Sequence, residues 1–235
     1  MEWDYLEGDG DFRSKEVTRL RDEADFIITN PPFSLFREFL SWLIAGGKIF
    51  SIIANKNCVT YKEVFPLIKD NKIWSGREEW TGGMWFKTAV NSDDFDDMIE
   101  GEKFKNVPAI WLTNMDHGRR HEPIPLMTMD DNIKFTKHKN DERWSNAYKK
   151  YDNYDAIEVP FADAIPSDYE GIMGVPITFL DKYCPEQFEI LGCSYSYGRP
   201  EGWPSSIDMS VTIDGNSVYK RLLIRAENNS HREEK

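Results

Sequence analysis

Cysteine is scarce in this chain of 235 residues. Its three cysteines, Cys58, Cys184 and Cys193, are far apart and show no paired-ligand spacing. That excludes a disulfide framework and a cysteine-based metal cluster, and they read as reduced core thiols of a cytoplasmic protein. Long apolar runs are missing as well. The richest stretch, Phe33 to Phe50, is broken by Arg37, Glu38 and Lys48, so no membrane span is expected. The opening Met1-Glu2-Trp3-Asp4 is acidic where a targeting segment would be basic. No dinucleotide fingerprint, Walker loop or nucleophile elbow occurs. Positive charge is also short, with 29 Lys and Arg against 41 Asp and Glu for a net charge of -12. A nucleic-acid contact would therefore need its cations gathered on one face.

What the chain does have is aromatic residues, 14% of the total with eight tryptophans, enough to predict a mostly folded protein. Ser14 can cap a helix carrying Val17, Leu20 and Ala24 at helical spacing. Asp25 to Thr29 reads as a buried strand. Leu35, Phe36, Phe39, Leu40, Leu43 and Ile44 share one face of a following helix, which Gly46-Gly47 ends. Lys48 to Ala54 is a second apolar strand. Thr60 and Glu63 form a capping box for a helix through Ile68 that Pro66 should bend or shorten. This alternation predicts a parallel sheet covered on both faces, with ligands outside the carboxyl ends of the strands. Further strands are expected at Lys72 to Trp74, Met84 to Phe86 and Ala109 to Leu112. Asp214-Gly215-Asn216 marks a hairpin between Met209 to Ile213 and Val218 to Ile224.

One stretch carries distinctive chemistry. A strand runs straight into Asn30-Pro31-Pro32-Phe33. The prolines lack an amide hydrogen and hold the residues before them extended. The Asn30 side-chain oxygen and the Pro31 carbonyl are then unused acceptors beside an aromatic ring. They suit a planar substrate with an amino group, although a plain Pro-Pro turn has the same sequence. The turn Gly8 to Asp11 is too acidic to cradle phosphate, and its acids suit a ribose or an adenine amino group better. His117 and His121 are four apart but lack the glutamate of a zinc helix, and Gly118 disfavours helix there. Arg119 and Arg120 in the same run suit phosphate or a solvated turn. The basic run Lys134 to Lys150 could follow a nucleic-acid backbone or be a solvated face.

Strand, Asn-Pro-Pro-Phe and amphipathic helix together resemble the amino-group methyltransferases that use S-adenosylmethionine. More closely, the chain resembles the EcoRI-type adenine-specific DNA methyltransferases. The likeness rests on Gly8-Asp9-Gly10-Asp11-Phe12-Arg13-Ser14, Asn30-Pro31-Pro32-Phe33-Ser34-Leu35-Phe36-Arg37, Thr60-Tyr61-Lys62-Glu63, Gly82-Gly83-Met84-Trp85-Phe86, the run from Asn114 to His121, Tyr151 to Ile157 and Pro185 to Gly192. The resemblance implies that Asn30 and Pro31 hold the N6 amine of a flipped adenine and that Phe33 stacks on it, with Pro32 completing the motif. It implies that Asp9, Asp11 and Phe12 contact the cofactor. Apart from the resemblance, Arg119, Arg120, Lys137 and Lys139 are candidate DNA contacts by their charge, within a candidate basic face that also takes in Lys134, Arg143, Lys149 and Lys150. Lys62 and Glu63 receive no role.

A complete member of that family also has a glycine-rich loop and an acid, well ahead of Asn-Pro-Pro-Phe, for the methionine and ribose of the cofactor. Only 29 residues precede the motif here, so the chain is expected to lack the amino-terminal cofactor-binding part and to expose a sheet edge. The expected fold is α/β: a Rossmann-like methyltransferase sheet, incomplete at its amino-terminal side, over residues 1–115. An irregular α+β lobe for target recognition follows over 116–226, and then a disordered tail, 227–235. The expected function is transfer of methyl to N6 of adenine in double-stranded DNA within a restriction–modification system. The rival is a non-catalytic DNA-binding fragment or subunit that needs a complementary amino-terminal chain, or a homo-oligomer. A third reading, methylation of a protein glutamine amide, is disfavoured by the DNA-recognition lobe.

Overall fold

A computed structural model describes residues 5–80, 82–89, 93–144, 146–194, 198–200, 203 and 210–227. The chain divides into two compact units, Met1–Asp116 and His117–Lys235. In the first, helix α1 (Lys15–Glu23) starts where the Ser14 side chain accepts from the Val17 amide at 3.1 Å. Strand β1 (Phe26–Thr29) follows, then a short 3-10 turn at Phe33–Leu35 and helix α2 (Phe36–Ala45). The helix buries Phe36, Phe39, Leu40 and Leu43 along one face, most of the stripe that its periodicity predicts, while Ile44 is exposed and Leu35 is half-buried just ahead of the helix. It ends at Gly46, and Gly47 takes the left-handed conformation at φ +61° that favours glycine. Strand β2 (Ile49–Asn55) pairs with β1 in parallel register, Thr29 opposite Ile52, and fully buries Phe50, Ile52 and Ala54.

Helix α3 (Phe65–Lys69) is shorter than the capping box implies. Thr60 instead ends a 3-10 turn, its hydroxyl donating to the Asn57 carbonyl, while Pro66 sits in the first turn of α3 where no amide donor is needed. Strands β3 (Trp74–Ser75), β4 (Met84–Lys87), β5 (Asp97–Ile99), β6 (Glu102–Val107) and β7 (Ala109–Thr113) complete the unit. The main sheet has the order β1-β2-β7-β3, and β7 runs antiparallel to both neighbours, so the sheet is mixed where a parallel one was expected. Asn114 ties it together, accepting from the Phe50 amide and donating to the Lys48 carbonyl, each at 2.8 Å. A second correction concerns β1. It lies at the sheet edge with Phe26 59% and Ile28 67% exposed, whereas its composition predicts a buried strand. Strands β4, β6 and β5 form a separate antiparallel sheet, of which β5 and β6 were unforeseen.

The second unit holds helix α4 (Met129–Phe135) and strands β8 (Ile157–Glu158), β9 (Met173–Val175), β10 (Phe188–Cys193), β11 (Thr212–Ile213), β12 (Asn216–Ser217) and β13 (Leu222–Ala226). Its sheet runs β10-β13-β9-β8. Asp214 and Gly215 turn the β11–β12 hairpin with positive φ of 51° and 77°, as their sequence predicts. The second arm expected at Val218 to Ile224 is corrected: Asn216 and Ser217 pair with Ile213 and Thr212, while Leu222 to Ile224 fall in β13, which pairs with β9 and β10, and Met209 lies outside the described residues. Inside this unit Arg221 holds Glu158 through two of its nitrogens, at 2.6 and 3.0 Å, and the Tyr151 hydroxyl donates to the same carboxylate. Burial, followed by the Glu158 charge, drives that phenol well above its ordinary range. Among the described residues no helix is long and apolar enough to cross a membrane.

Candidate active site

The parallel pairing of β1 and β2 puts both carboxyl ends on one side of the sheet. Asn30 leaves β1 there, exposed, and buried Pro31 anchors the turn beneath it. The Leu35 amide donates to the Pro32 carbonyl at 3.0 Å, which opens the 3-10 turn leading into α2. Phe33, on that turn, is 42% exposed although the neighbouring Phe36 is buried. Among the described residues, no hydrogen bond occupies the Asn30 side-chain oxygen or the Pro31 carbonyl. Two acceptors and an available ring therefore stand together, with the rest of the motif spent on the fold.

A groove of about 620 Å³ opens along the inner side of this platform. Asp9, Asp11 and Phe12 line it from one direction and Asn30 and Pro31 from another, with β1 between them. The acidic turn is rigidly built. The Glu16 carboxylate accepts from the Glu7 and Gly8 amides at 2.8 and 3.0 Å, and Asp9 accepts from the Asp11 amide at 3.0 Å. Asp11 accepts from the Arg13 amide and its guanidinium, the shortest contact being 2.7 Å. Those bonds from Arg13 hold the Asp11 carboxyl down to about 2. Phe12 is buried with its ring edge-on to Phe39 at 5.2 Å and Trp42 at 5.6 Å. It works chiefly as the peg that fixes the turn to α2. Of the two acids, Asp9 keeps the freer carboxylate, because Asp11 is committed to Arg13.

At the end of β2, the Lys56 ammonium donates to the Trp80 carbonyl at 2.5 Å. Glu63, without a role in the sequence reading, lies 3.8 Å from Arg37, whose guanidinium stacks 4.5 Å over the Tyr61 ring. These interactions join α2 to the segment after β2. Sequence reasoning missed them, since nothing in the spacing of Arg37 and Glu63 signals a pair. The cysteines are buried and unbridged, and burial pushes the Cys58 thiol up to about 12.

The expected DNA contacts lie in the second unit, and most are already paired. Arg119 meets Asp181 at 2.9 Å with both side chains largely buried. Lys137 meets Asp163 at 2.7 Å, Arg143 meets Asp141 at 2.6 Å and Lys149 meets Asp214 at 2.8 Å. Lys150 lies 3.9 Å from Asp155. Lys139 is exposed and in no ion pair among the described residues, and Arg120 is half-buried. The basic run in the sequence is thus interleaved in space with acids.

The family model described as "Adenine-specific methyltransferase EcoRI" matches residues 1–234. Among curated proteins, the Type II methyltransferase M.EcoRI of Escherichia coli is 43% identical over 223 residues, covering 93% of this chain and 62% of that protein. M.MpnI of Mycoplasma pneumoniae is 35% identical over 195 residues, 80% of this chain and 57% of its own length. M.MgeORF184P of Mycoplasma genitalium is 37% identical over 239 residues, 94% of this chain and 71% of its own. The chain thus spans about three fifths of the length of the first two relatives. No solved structure matches it.

Proposed function

Because the chain belongs to the family of the adenine-specific methyltransferase EcoRI, we propose that it carries the substrate-amine half of a DNA N6-adenine methyltransferase of a restriction–modification system. The observation that supports this is the pair of unspent acceptors, Asn30 Oδ1 and the Pro31 carbonyl, next to an exposed Phe33. The amine of adenine is a poor nucleophile because its lone pair is delocalised into the ring. Two acceptors on its hydrogens pull the nitrogen towards tetrahedral geometry and stabilise the positive charge that develops there. Phe33 stacks on the base, an offset contact worth about 0.5–1.5 kcal/mol beyond its buried area. Such a base must leave the duplex stack, since its N6 is out of reach within it.

The groove fits the adenosine portion of S-adenosylmethionine. Its volume of about 620 Å³ is that of a small-molecule site, and it joins apolar walls to an acidic turn. Bound there, that cofactor supplies an electrophilic methyl group on a sulfonium. Asp9 would accept from a ribose hydroxyl or the adenine amino group, Asp11 would hold the turn through Arg13, and Phe12 would close the apolar wall.

A second reading is favoured by the open edge of β1, with Phe26 and Ile28 exposed beside the groove. In it, the chain presents the amine clamp and a second polypeptide completes the cofactor pocket. Transfer of labelled methyl from S-adenosylmethionine to unmethylated duplex tests the clamp, with the chain alone and with a completing chain. The Asn30→Ala variant should lose about 100-fold or more in rate, the scale for removing one stabilising hydrogen bond from a transition state. Its circular dichroism should not change, because Asn30 is exposed. Equal rates for parent and variant would refute the clamp.

A further inference from the structure

Arg37 and Lys62, to which the clamp gives no role, are held differently from the cations of the second unit. Lys137, Arg143 and Lys149 each meet a carboxylate closely, at 2.7, 2.6 and 2.8 Å. Arg37 and Lys62 instead share one carboxylate, Glu63, at 3.8 Å each, too long for a hydrogen bond. Neither side chain makes a hydrogen bond among the described residues, so their N–H donors are unspent. The Arg37 guanidinium is nevertheless fixed, 4.5 Å over the Tyr61 ring, and stacking of that planar group leaves its edge donors free. The side chains of Arg37 and Lys62 are 56% and 69% exposed against 27% for Glu63, so solvent meets the cations before the carboxylate. Glu38, beside Arg37 in sequence, is directed to Arg13 at 3.4 Å.

The two cations also stand beside the clamp. The 3-10 turn that carries Phe33 runs directly into α2, so Arg37 follows Phe33 by four residues, about one helical turn or roughly 5 Å along the axis. Phe33, Ser34 and Arg37 are all exposed, at the spacing of one helix face. We propose that Arg37 and Lys62 form a phosphate site on the first unit, which takes a backbone phosphodiester of DNA next to the adenosine that the clamp receives. This rests on the reading above, that Asn30, Pro31 and Phe33 receive an adenine from DNA, and adds the groups that hold its backbone. A guanidinium offers two parallel N–H donors to the non-bridging oxygens of a phosphodiester, and an ammonium adds a point charge. A nucleotide drawn out of the duplex brings its phosphate along with its base, and the offset of Arg37 from Phe33 leaves room for the sugar between them. On a chain of net charge -12, two unspent cations supply attraction at the one place where the substrate must be gripped.

The test follows binding of the full chain to a fluorescein-labelled DNA duplex by anisotropy across a salt series. The parent should bind, and Arg37→Gln and Lys62→Gln should each lower the slope of log affinity against log salt by about 0.9, the loss of one phosphate contact. Each should weaken binding by at least about fivefold at about 0.1 M salt. Lys72→Gln removes an equal charge from the same unit, but Lys72 already donates to Asp70 at 3.3 Å, and this variant should leave the slope unchanged. Lys62→Gln should keep the parent's melting temperature, because its exposed side chain reaches only Glu63 among the described residues, so that arm stands even where Arg37→Gln unfolds. No binding by the parent at low salt, an unchanged slope in either folded variant, or an equal fall with Lys72→Gln would overturn the site. Product analysis addresses the proposed function separately. Lowered slopes without any N6-methyladenine uphold the phosphate site and remove the methyl-transfer reading, whereas unchanged slopes with N6-methyladenine that depends on Asn30 remove the site and keep the clamp.

Discussion

Two acceptor oxygens one residue apart are in no hydrogen bond among the described residues, and a proline shapes the backbone around each. The sequence shows this directly, since Asn-Pro-Pro admits few conformations. The acidic turn is less transparent. Asp9 and Asp11 look equivalent in the sequence, yet only Asp11 is clasped by Arg13, a partner two residues away that spacing alone does not reveal. That clasp has a signature in pH. The folded pKa of Asp11 lies below its ordinary value of 3.8, at about 2. Its contribution to stability is therefore complete above the unfolded value and disappears as pH falls from about 4 towards 2. The carboxyl carbon shift of Asp11 should report a midpoint near 2, and in Arg13→Ala the midpoint should return to the ordinary carboxylate range. An unshifted midpoint in the parent would dismiss the clasp.

Among the elements, those read correctly are the ones whose signal is local. Ser14 caps α1 and most of the stripe of α2 is buried, because cap and periodicity need only neighbours in sequence. Thr60 and Glu63 have the letters of a capping box, but Glu63 is drawn to Arg37 and the helix waits for Pro66. Burial of β1 failed for another reason: its apolar composition specifies a strand that wants neighbours on both sides, and composition cannot say whether they are present. Strands β5 and β6 went unseen although Glu100 and Gly101, at φ 52° and 82°, turn tightly between them. The Gly82-Gly83 turn before β4 is a sharper case. Gly83 has φ +65°, and a Cβ there would lie 2.5 Å from the Val107 carbonyl oxygen. Gly83→Ala should cost more than about 1 kcal/mol, because its left-handed backbone and this close approach both exclude a side chain. Urea unfolding would measure it, and an unchanged midpoint would contradict the reading.

Over the whole molecule, charge is the feature that sequence reads least well. A basic run from Lys134 to Lys150 suggests a phosphate track, but Asp141 within the run pairs with Arg143, and folding brings Asp163 and Asp214 onto Lys137 and Lys149. Which distant acid meets which base depends on tertiary proximity, so the run could not disclose Asp163 or Asp214. Paired cations release fewer counterions from DNA, and the slope of log affinity against log salt falls by about 0.9 for each phosphate left unneutralised. Lys139→Ala should therefore reduce the slope measured by fluorescence anisotropy by close to that amount. Lys137→Ala should reduce it less, because Asp163 already shares that charge. Equal effects would mean that the Lys137–Asp163 pair opens on DNA.

Whether Asn30 and Pro31 present the amino group of adenine for methylation can be read from the product itself. The decisive measurement is nucleoside mass spectrometry of duplex DNA treated with the chain, its completing polypeptide and S-adenosylmethionine. N6-methyladenine should be the methylated nucleoside, present with the parent and reduced about 100-fold or more with Asn30→Ala. A methylated cytosine as the product, or undiminished N6-methyladenine from the Asn30→Ala protein, would contradict the amine clamp.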